Sequence, residues 1–295
     1  MVDENNKELF NKLVAGLKDL MPLPTTVTAI IKLTKDPNSD LKDIVFNLEK
    51  DQAMVSRVLK LANSSYYGFS RQIKTISHAV VCLGYNTIKN MALTVSTYPM
   101  FKKGIVSYAL EKGAIFKHSY AVAVGARIIA TKVGHPNPEE VYVMGLLHDV
   151  GKLVLDEQAK DKFINVIRLF SKGNIPFLDA EEQVLGFNHG EIGSKVAEKW
   201  NLSEEIVETI RCHHNPSEAS SDNKSVHMVH LSDVIVEMMG IGLGYDGLSY
   251  VMNEKSFEIL GIEMSSIEEL MVLIMDEMQE EGNGAIFSEE DSVNE

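Results

Sequence analysis

The sequence predicts an all-α protein. Apolar residues recur at helical spacing through nearly the whole 295-residue chain, and no two neighbouring segments show the apolar–polar alternation of paired strands. The composition agrees: Leu, Ile, Val and Met are plentiful while aromatic residues make up 7%, which suits helix packing. A chain of this length can bury a substantial core in one or two domains. The expected layout is a helical N-terminal subdomain, residues 1–104, packed on a helical bundle, residues 105–243. C-terminal helices and an acidic tail, residues 244–295, complete it.

The first helix is expected over 5–20, where Leu9, Phe10, Leu13, Leu17 and Leu20 share a face. Pro22 and Pro24 break it, and Thr25 or Thr26 starts the next, through Ile30, Ile31 and Leu33. Asp36-Pro37-Asn38-Ser39 reads as a turn, with Ser39 or Asp40 as N-cap of a helix from Leu41. A helix from about Asp51 carries Val55, Val58, Leu59 and Ala62 and ends near 63–68. Residues 73–83, Gly84 and 86–97 read as helix, turn, helix. A packed hairpin is preferred to a DNA-reading motif, because the second helix offers only Lys89 as a basic contact.

The second half opens with a long helix over 108–133, closed by Gly134-His135-Pro136-Asn137-Pro138. One helix is expected over 139–155, then helices over 163–170, 177–185, 191–200 and 203–214, the last with Ser203 as N-cap. After a polar loop, 217–225, come a helix over 226–239, a Gly-rich flexible break over 240–247, and short helices over 256–260 and 267–278.

No stretch reaches the roughly 18 apolar residues of a membrane span, and the polar, acidic Met1–Lys7 is unlike a signal peptide. Cys82 and Cys212 read as buried free thiols, so a cytoplasmic location is expected. The net charge is −14. Residues 276–295 hold eight acidic residues and no Lys or Arg, leaving −6 for the rest. An acidic body does not concentrate polyanions, so nucleic acid is not an expected partner, and residues 280–295 read as a solvated tail.

The chemistry centres on Gly145-Leu146-Leu147-His148-Asp149-Val150-Gly151-Lys152, where an adjacent His and Asp interrupt an apolar run. Buried polar groups without partners are costly. An imidazole nitrogen beside a carboxylate oxygen suits a divalent transition metal. Neighbours on a helix diverge by about 100°, so an ion shared by both must lie off the helix edge and draw further ligands from other helices. Suitable residues are His118, His189, the His213-His214 doublet and Asp233. His78, His135 and His227 are assigned to packing or solvation, and His230, three positions before Asp233, is a candidate for contacting a ligand rather than the ion.

That order of His, His-Asp, His, His-His and Asp resembles the HD superfamily of metal-dependent phosphohydrolases. Met21-Pro22-Leu23-Pro24, Leu59-Lys60-Leu61-Ala62-Asn63-Ser64 and Ile76-Ser77-His78-Ala79-Val80-Val81-Cys82-Leu83-Gly84 are similar to the HDOD (HD-related output domain) family, and the likeness runs over about residues 20–235. The resemblance implies that the bundle is of HD type and that the protein acts in bacterial signal transduction, with a signalling protein or a small nucleotide as partner. The alternative it carries is an active phosphohydrolase or phosphodiesterase.

The HD-GYP phosphodiesterases share the ligand order. By that resemblance His118, His148 and Asp233 hold one ion, His189, His213 and His214 the other, with Asp149 between. The mixed set is compatible with iron, manganese or zinc. Lys152, one turn past His148, is a candidate to bind a substrate phosphate or protonate a leaving group beside Asp149, or else a structural lysine. In place of the Gly-Tyr-Pro-containing loop of that branch stands Asn215-Pro216-Ser217-Glu218-Ala219, and Gly244-Tyr245-Asp246 comes too late to replace it, which counts against cyclic di-GMP as substrate.

Overall fold

The computed structural model describes residues 4–36, 40–64, 67–69, 71–173, 175–247 and 252–283. It is all-α. Among the described residues the only extended pairing is an isolated bridge between Ile105 and Leu110. Two compact units form, one from the described residues of 1–22 and 98–271, the other from those of 23–97 and 272–295.

The smaller unit contains α2 (Thr25–Lys35), α3 (Leu41–Glu49), α4 (Gln52–Ala62), α5 (Ile76–Leu83) and most of α6 (Tyr85–Phe101). Three of its helices, α3, α4 and α5, start where a side chain takes up an orphaned amide. Asp40 caps α3 with Asp43 in a capping box, Asp51 accepts from the Met54 amide at 2.9 Å, and Thr75 accepts from that of His78. Ser39, the other candidate cap, lies outside the described residues. Asn63 closes the loop after α4 by bonding both the amide and the carbonyl of Ile73, at 2.7 and 2.8 Å. Residues Met91 to Thr97 of α6 are buried, as in a packed hairpin, while Tyr85 and Asn86 at its start are exposed.

Cys82 corrects an expectation: it is exposed. The short α5 buries Ile76, Ala79 and Val80, and both Val81 and Cys82 fall outside that stripe. Cys212 is buried as expected, and burial pushes its thiol up to about 11. A maleimide at neutral pH should therefore modify one cysteine, Cys82, within minutes, and the second only after denaturant is added. Mass spectrometry of the labelled protein checks this.

The larger unit carries the chemistry. It includes α1 (Glu4–Leu20), α7 (Ala114–Lys132), α8 (Pro138–Leu147), α9 (Val150–Gln158), α10 (Lys160–Phe170) and α11 (Phe177–Leu185). These are followed by α12 (His189–Lys199), α13 (Glu204–Cys212), α14 (Ser225–Met238), α15 (Glu254–Leu260) and the start of α16 (Ile267–Asn283). Here α1 departs from the expected N-terminal grouping. Leu13 and Leu17, each 1% exposed, face inward, and the helix lies against α9 and α12. Burial of an apolar face, not proximity in sequence, decides its place.

The centre of this unit is α7, which packs on α8 and α14 and is buried almost all round. Small residues let the backbones meet: a Cβ at Gly145 would stand 2.8 Å from the Cα of Ala123. Two expected helices differ from the prediction. The long helix begins at 114, not 108, because Ala109 and Gly113 adopt left-handed conformations (φ 57° and 80°) and residues 105–110 form a tight turn. The helix expected over 139–155 is two helices, divided at the His-Asp pair, where Asp149 leaves helical geometry (φ −96°, ψ 9°). Residues 280–283 continue α16, whereas 284–295, most of the expected acidic tail, fall outside the described residues.

Candidate metal centre

The division between α8 and α9 solves the geometric problem of an adjacent His-Asp pair. His148 closes α8 and Asp149 opens α9, so both side chains turn inward where neighbours on one unbroken helix would diverge. The other candidates arrive from separate elements: His118 from the first turns of α7, His189 from the start of α12, His213 and His214 just after α13, and Asp233 from α14. All seven come together. Asp149, His189, His213 and His214 offer ligand atoms within 4.8 Å of one another, and so do His118, His148 and Asp233. Asp149 stands between the groups, with Oδ2 3.4 Å from His148 Nε2 and 3.7 Å from His118 Nε2, and Oδ1 3.4 Å from His189 Nε2.

Each of four imidazoles is oriented through its Nδ1. Helix ends leave carbonyls without partners, and His148 and His213 use them, with Nδ1 2.7 Å from the carbonyl oxygens of Gly145 and Ile210. His118 Nδ1 lies 3.1 Å from the Ile241 oxygen, and His189 Nδ1 lies 2.9 Å from Glu181 Oε2. A carbonyl or carboxylate can only accept, so Nδ1 carries a proton in each ring and Nε2 is turned to the centre, where that of His189 meets His214 Nε2 at 2.8 Å and that of His118 lies 3.1 Å from Asp233 Oδ1. His148 Nε2, His213 Nε2 and Asp149 Oδ1 are buried without a hydrogen-bond partner. Bare acceptors facing one another in a buried site are costly, and a cation satisfies them together. The donor set fits divalent metal.

The protonation states agree with that role for His213 and His214, whereas His148 would have to give up a proton to bind an ion. Burial holds His213 and His214 well below the usual imidazole range, and neighbouring imidazoles add to the effect, so both stay neutral. Burial also lowers His148, but the carboxylates of Asp149 and Asp233 outweigh it and raise its pKa. For Asp149 burial acts upward, yet His148 and Lys152 beside it hold the carboxyl well below its usual range.

Lys152 is buried, at 4% exposure, and its ammonium is bonded to Asp149 Oδ2 at 2.7 Å and to Asp246. Burial disfavours its charge, but the two carboxylates more than compensate and keep it protonated. The space on its side of the centre is about 10 Å³, enough for little more than a water molecule. Lys152 thus neutralises charge beside Asp149.

Of the other histidines, His78 is exposed and His135 half-buried, while His227 Nδ1 meets Ser256 Oγ at 2.9 Å, away from the centre. His230 takes the Asn253 amide on Nε2 and so donates from Nδ1 to the His213 carbonyl at 2.8 Å, which steadies the backbone of a candidate ligand.

Three carboxylates were not legible in the sequence. Glu181, fully buried on α11, accepts from the amide and ring of His189 and from the Tyr108 hydroxyl. Asp246 reaches Lys152 from the Gly-rich segment 240–247, which is packed and not merely a break. Gly242 lies so close to α7 that a Cβ would stand 2.7 Å from that of His118, and Tyr245 donates its amide to the Tyr108 carbonyl at 2.9 Å. Glu237, one turn after Asp233, is pushed up to about 10 by burial and by the Asp233 carboxylate, so it is neutral at neutral pH. Their signals were a Glu-Glu pair mid-helix and an Asp behind glycines, patterns common on any surface.

Glu181→Gln should lower metal affinity by roughly 10- to 100-fold, because it removes the charge that holds the His189 ring. Competition with a chromogenic chelator measures it. An unchanged affinity would mean that His189 needs no such support.

Comparison with known proteins gives concordant results. The family model for the HDOD domain matches residues 20–216. An uncharacterised protein of Treponema pallidum (strain Nichols) is 28% identical over 224 residues; the match covers 76% of this chain and 43% of that longer protein. The crystal structure of an HDOD domain protein of unknown function from Geobacter sulfurreducens superposes with a TM-score of 0.75 at 29% identity, covering 96% of this chain and 99% of that one. A structure from Shewanella amazonensis SB2B, provisionally named a phosphohydrolase, superposes at 0.70 with 21% identity, over 92% of this chain and 97% of its own, a likeness of fold.

Proposed function

We propose, from the premise that this chain belongs to the HDOD family, that it is a bacterial regulatory protein built around a two-ion metal centre that acts on a phosphoester. The observation that carries the reading is the convergence of unpartnered buried acceptors, His148 Nε2, His213 Nε2 and Asp149 Oδ1, in one space. One ion would be held by His118, His148 and Asp233, the other by His189, His213 and His214, with Asp149 shared. Iron, manganese and zinc all accept such a set. When bound, such ions supply Lewis acidity toward a phosphoryl oxygen.

The chain's own residues do the rest. Helix-end carbonyls and Glu181 fix the rings, so no reorganisation is needed when charge develops. Lys152, locked between Asp149 and Asp246, offsets the carboxylate charge and keeps Asp149 ionised. Glu237, neutral and buried nearby, adds no further negative charge.

A second reading, in which the metal-bound protein serves as a regulatory module without turnover, is favoured by one observation. Lys152, the sequence's candidate for binding a phosphate, is already occupied by two carboxylates. The test is elemental analysis of protein purified without chelator, followed by assay with bis(p-nitrophenyl) phosphate. The proposal expects about two ions per chain and metal-dependent release of nitrophenol. Full occupancy without turnover would favour the second reading, and absence of metal would remove both.

A further inference from the structure

The centre has two sides. On the Lys152 side the space is about 10 Å³. On the other a cleft of about 890 Å³ reaches His214, the one candidate ligand in its group that is not fully buried. Of these two spaces only the cleft has room for a phosphoester of any size, and it is of the size of small-molecule sites.

The lining states what the cleft accepts. Two cations, Lys162 and Arg211, stand with three carboxylates, Glu182, Glu191 and Glu218, beside His214. These side chains carry one net negative charge, so beyond the positive charge that bound ions would add at the centre the cleft offers a multiply charged ligand no further attraction, and the chain's overall charge of −14 repels it from a distance. A single negative charge can be met by one cation. Arg211, in the last turn of α13, precedes His214 by three positions and lines the same cleft, where Lys152 cannot reach; its present partner is Glu208 at 3.7 Å on the same helix, which a phosphate would displace. Carboxamides supply much of the remaining surface, among them Asn165, Gln183 and Asn215, and the described residues of the lining include no Phe, Tyr or Trp on which a base could stack, the one ring being that of the candidate ligand His214.

We infer that this cleft binds a phosphodiester carrying one negative charge and hydroxyl-rich flanking groups, with Arg211 as the residue that recognises the phosphate. The inference deepens the proposed function and rests on it for the identity of the centre. Carboxamides and carboxylates pair with hydroxyls as donors and acceptors, and the guanidinium binds two oxygens of one phosphate. Nucleoside triphosphates and cyclic dinucleotides are disfavoured by charge and by the missing stacking surface.

The probe is glycerophosphoglycerol, titrated calorimetrically into the full metal-loaded chain. Binding should weaken by about tenfold or more in Arg211→Gln, as expected for loss of a charge-assisted pair. It should be unchanged in Lys195→Gln, an exposed lysine paired to Glu198 outside the cleft. ATP should bind less tightly than the probe. Metal content should be equal in all three proteins, which separates a damaged centre from a damaged cleft. Equal affinity in Arg211→Gln and the parent, tighter binding of ATP, or no measurable heat with the probe would each overturn the inference. Binding that depends on Arg211 without any turnover would support the cleft while removing hydrolysis from the proposed function.

Discussion

Asp149→Ala is expected to take bound metal from about two ions per chain to well under one. Asp149 makes the most contacts across the two groups: its oxygens lie 3.4 Å from His148, 3.4 Å from His189, 3.7 Å from His118 and 3.9 Å from His213. Removing it takes a donor from each group and leaves Lys152 with Asp246 alone, and breaking a buried ion pair from one side costs about 3–5 kcal/mol. The melting temperature should fall too, since metal contributes to stability only while ligands from several helices are held together. His148→Ala should behave likewise, whereas His78→Ala and His135→Ala should keep parental metal content. Mass spectrometry of the four proteins decides it. Equal metal in all of them would mean that the clustered side chains hold none.

The second large effect is expected from Gly151→Ala, a change of one methyl group. The space where that methyl would stand is taken by the carbonyl oxygen of His189 and, at 2.8 Å, by the amide of Gly193. Backbone cannot turn aside as a side chain can, so α9 and α12 must separate, at a cost of about 3 kcal/mol or more. A loss of that size corresponds to roughly 10 °C in melting temperature for a unit of this size. The separation also carries His189 away from Asp149. The variant should therefore keep its helical circular dichroism, melt earlier and bind metal less tightly. A melting curve that coincides with the parent's would show that the close approach is not rigid.

Much of this was legible in the sequence because it depends on local patterns. Helical periodicity gave the class, Asp40, Asp51 and Ser203 start the helices they were positioned to start, and the seven His and Asp residues could be picked out by type and order. What was hidden depends on long-range packing. The break at Asp149 is not encoded by any Gly or Pro at that position; it follows from the fit of α9 against α12. Glu181 and Asp246 lie far along the chain from the atoms they contact, 8 residues from His189 and 94 from Lys152, and their surroundings read as ordinary surface. Cys82 was misplaced for the opposite reason: an apolar run looked buried throughout, whereas an eight-residue helix has only one inner stripe.

The hydrogen bonds from His148 and His213 to the carbonyls of Gly145 and Ile210 also bear on how fast an ion can leave. Those carbonyls belong to the last turns of α8 and α13, the parts of a helix that unwind most readily. Each time such a turn opens, its imidazole loses the anchor that aims its lone pair, and the ion loses a ligand. Residence time is then governed by the opening rate of two helix ends, and an occupied centre in turn suppresses that opening. Amide exchange at the ends of α8 and α13 and release of metal to a chelator would share one rate-limiting motion, so a substitution that loosens either end sets a faster clock for both.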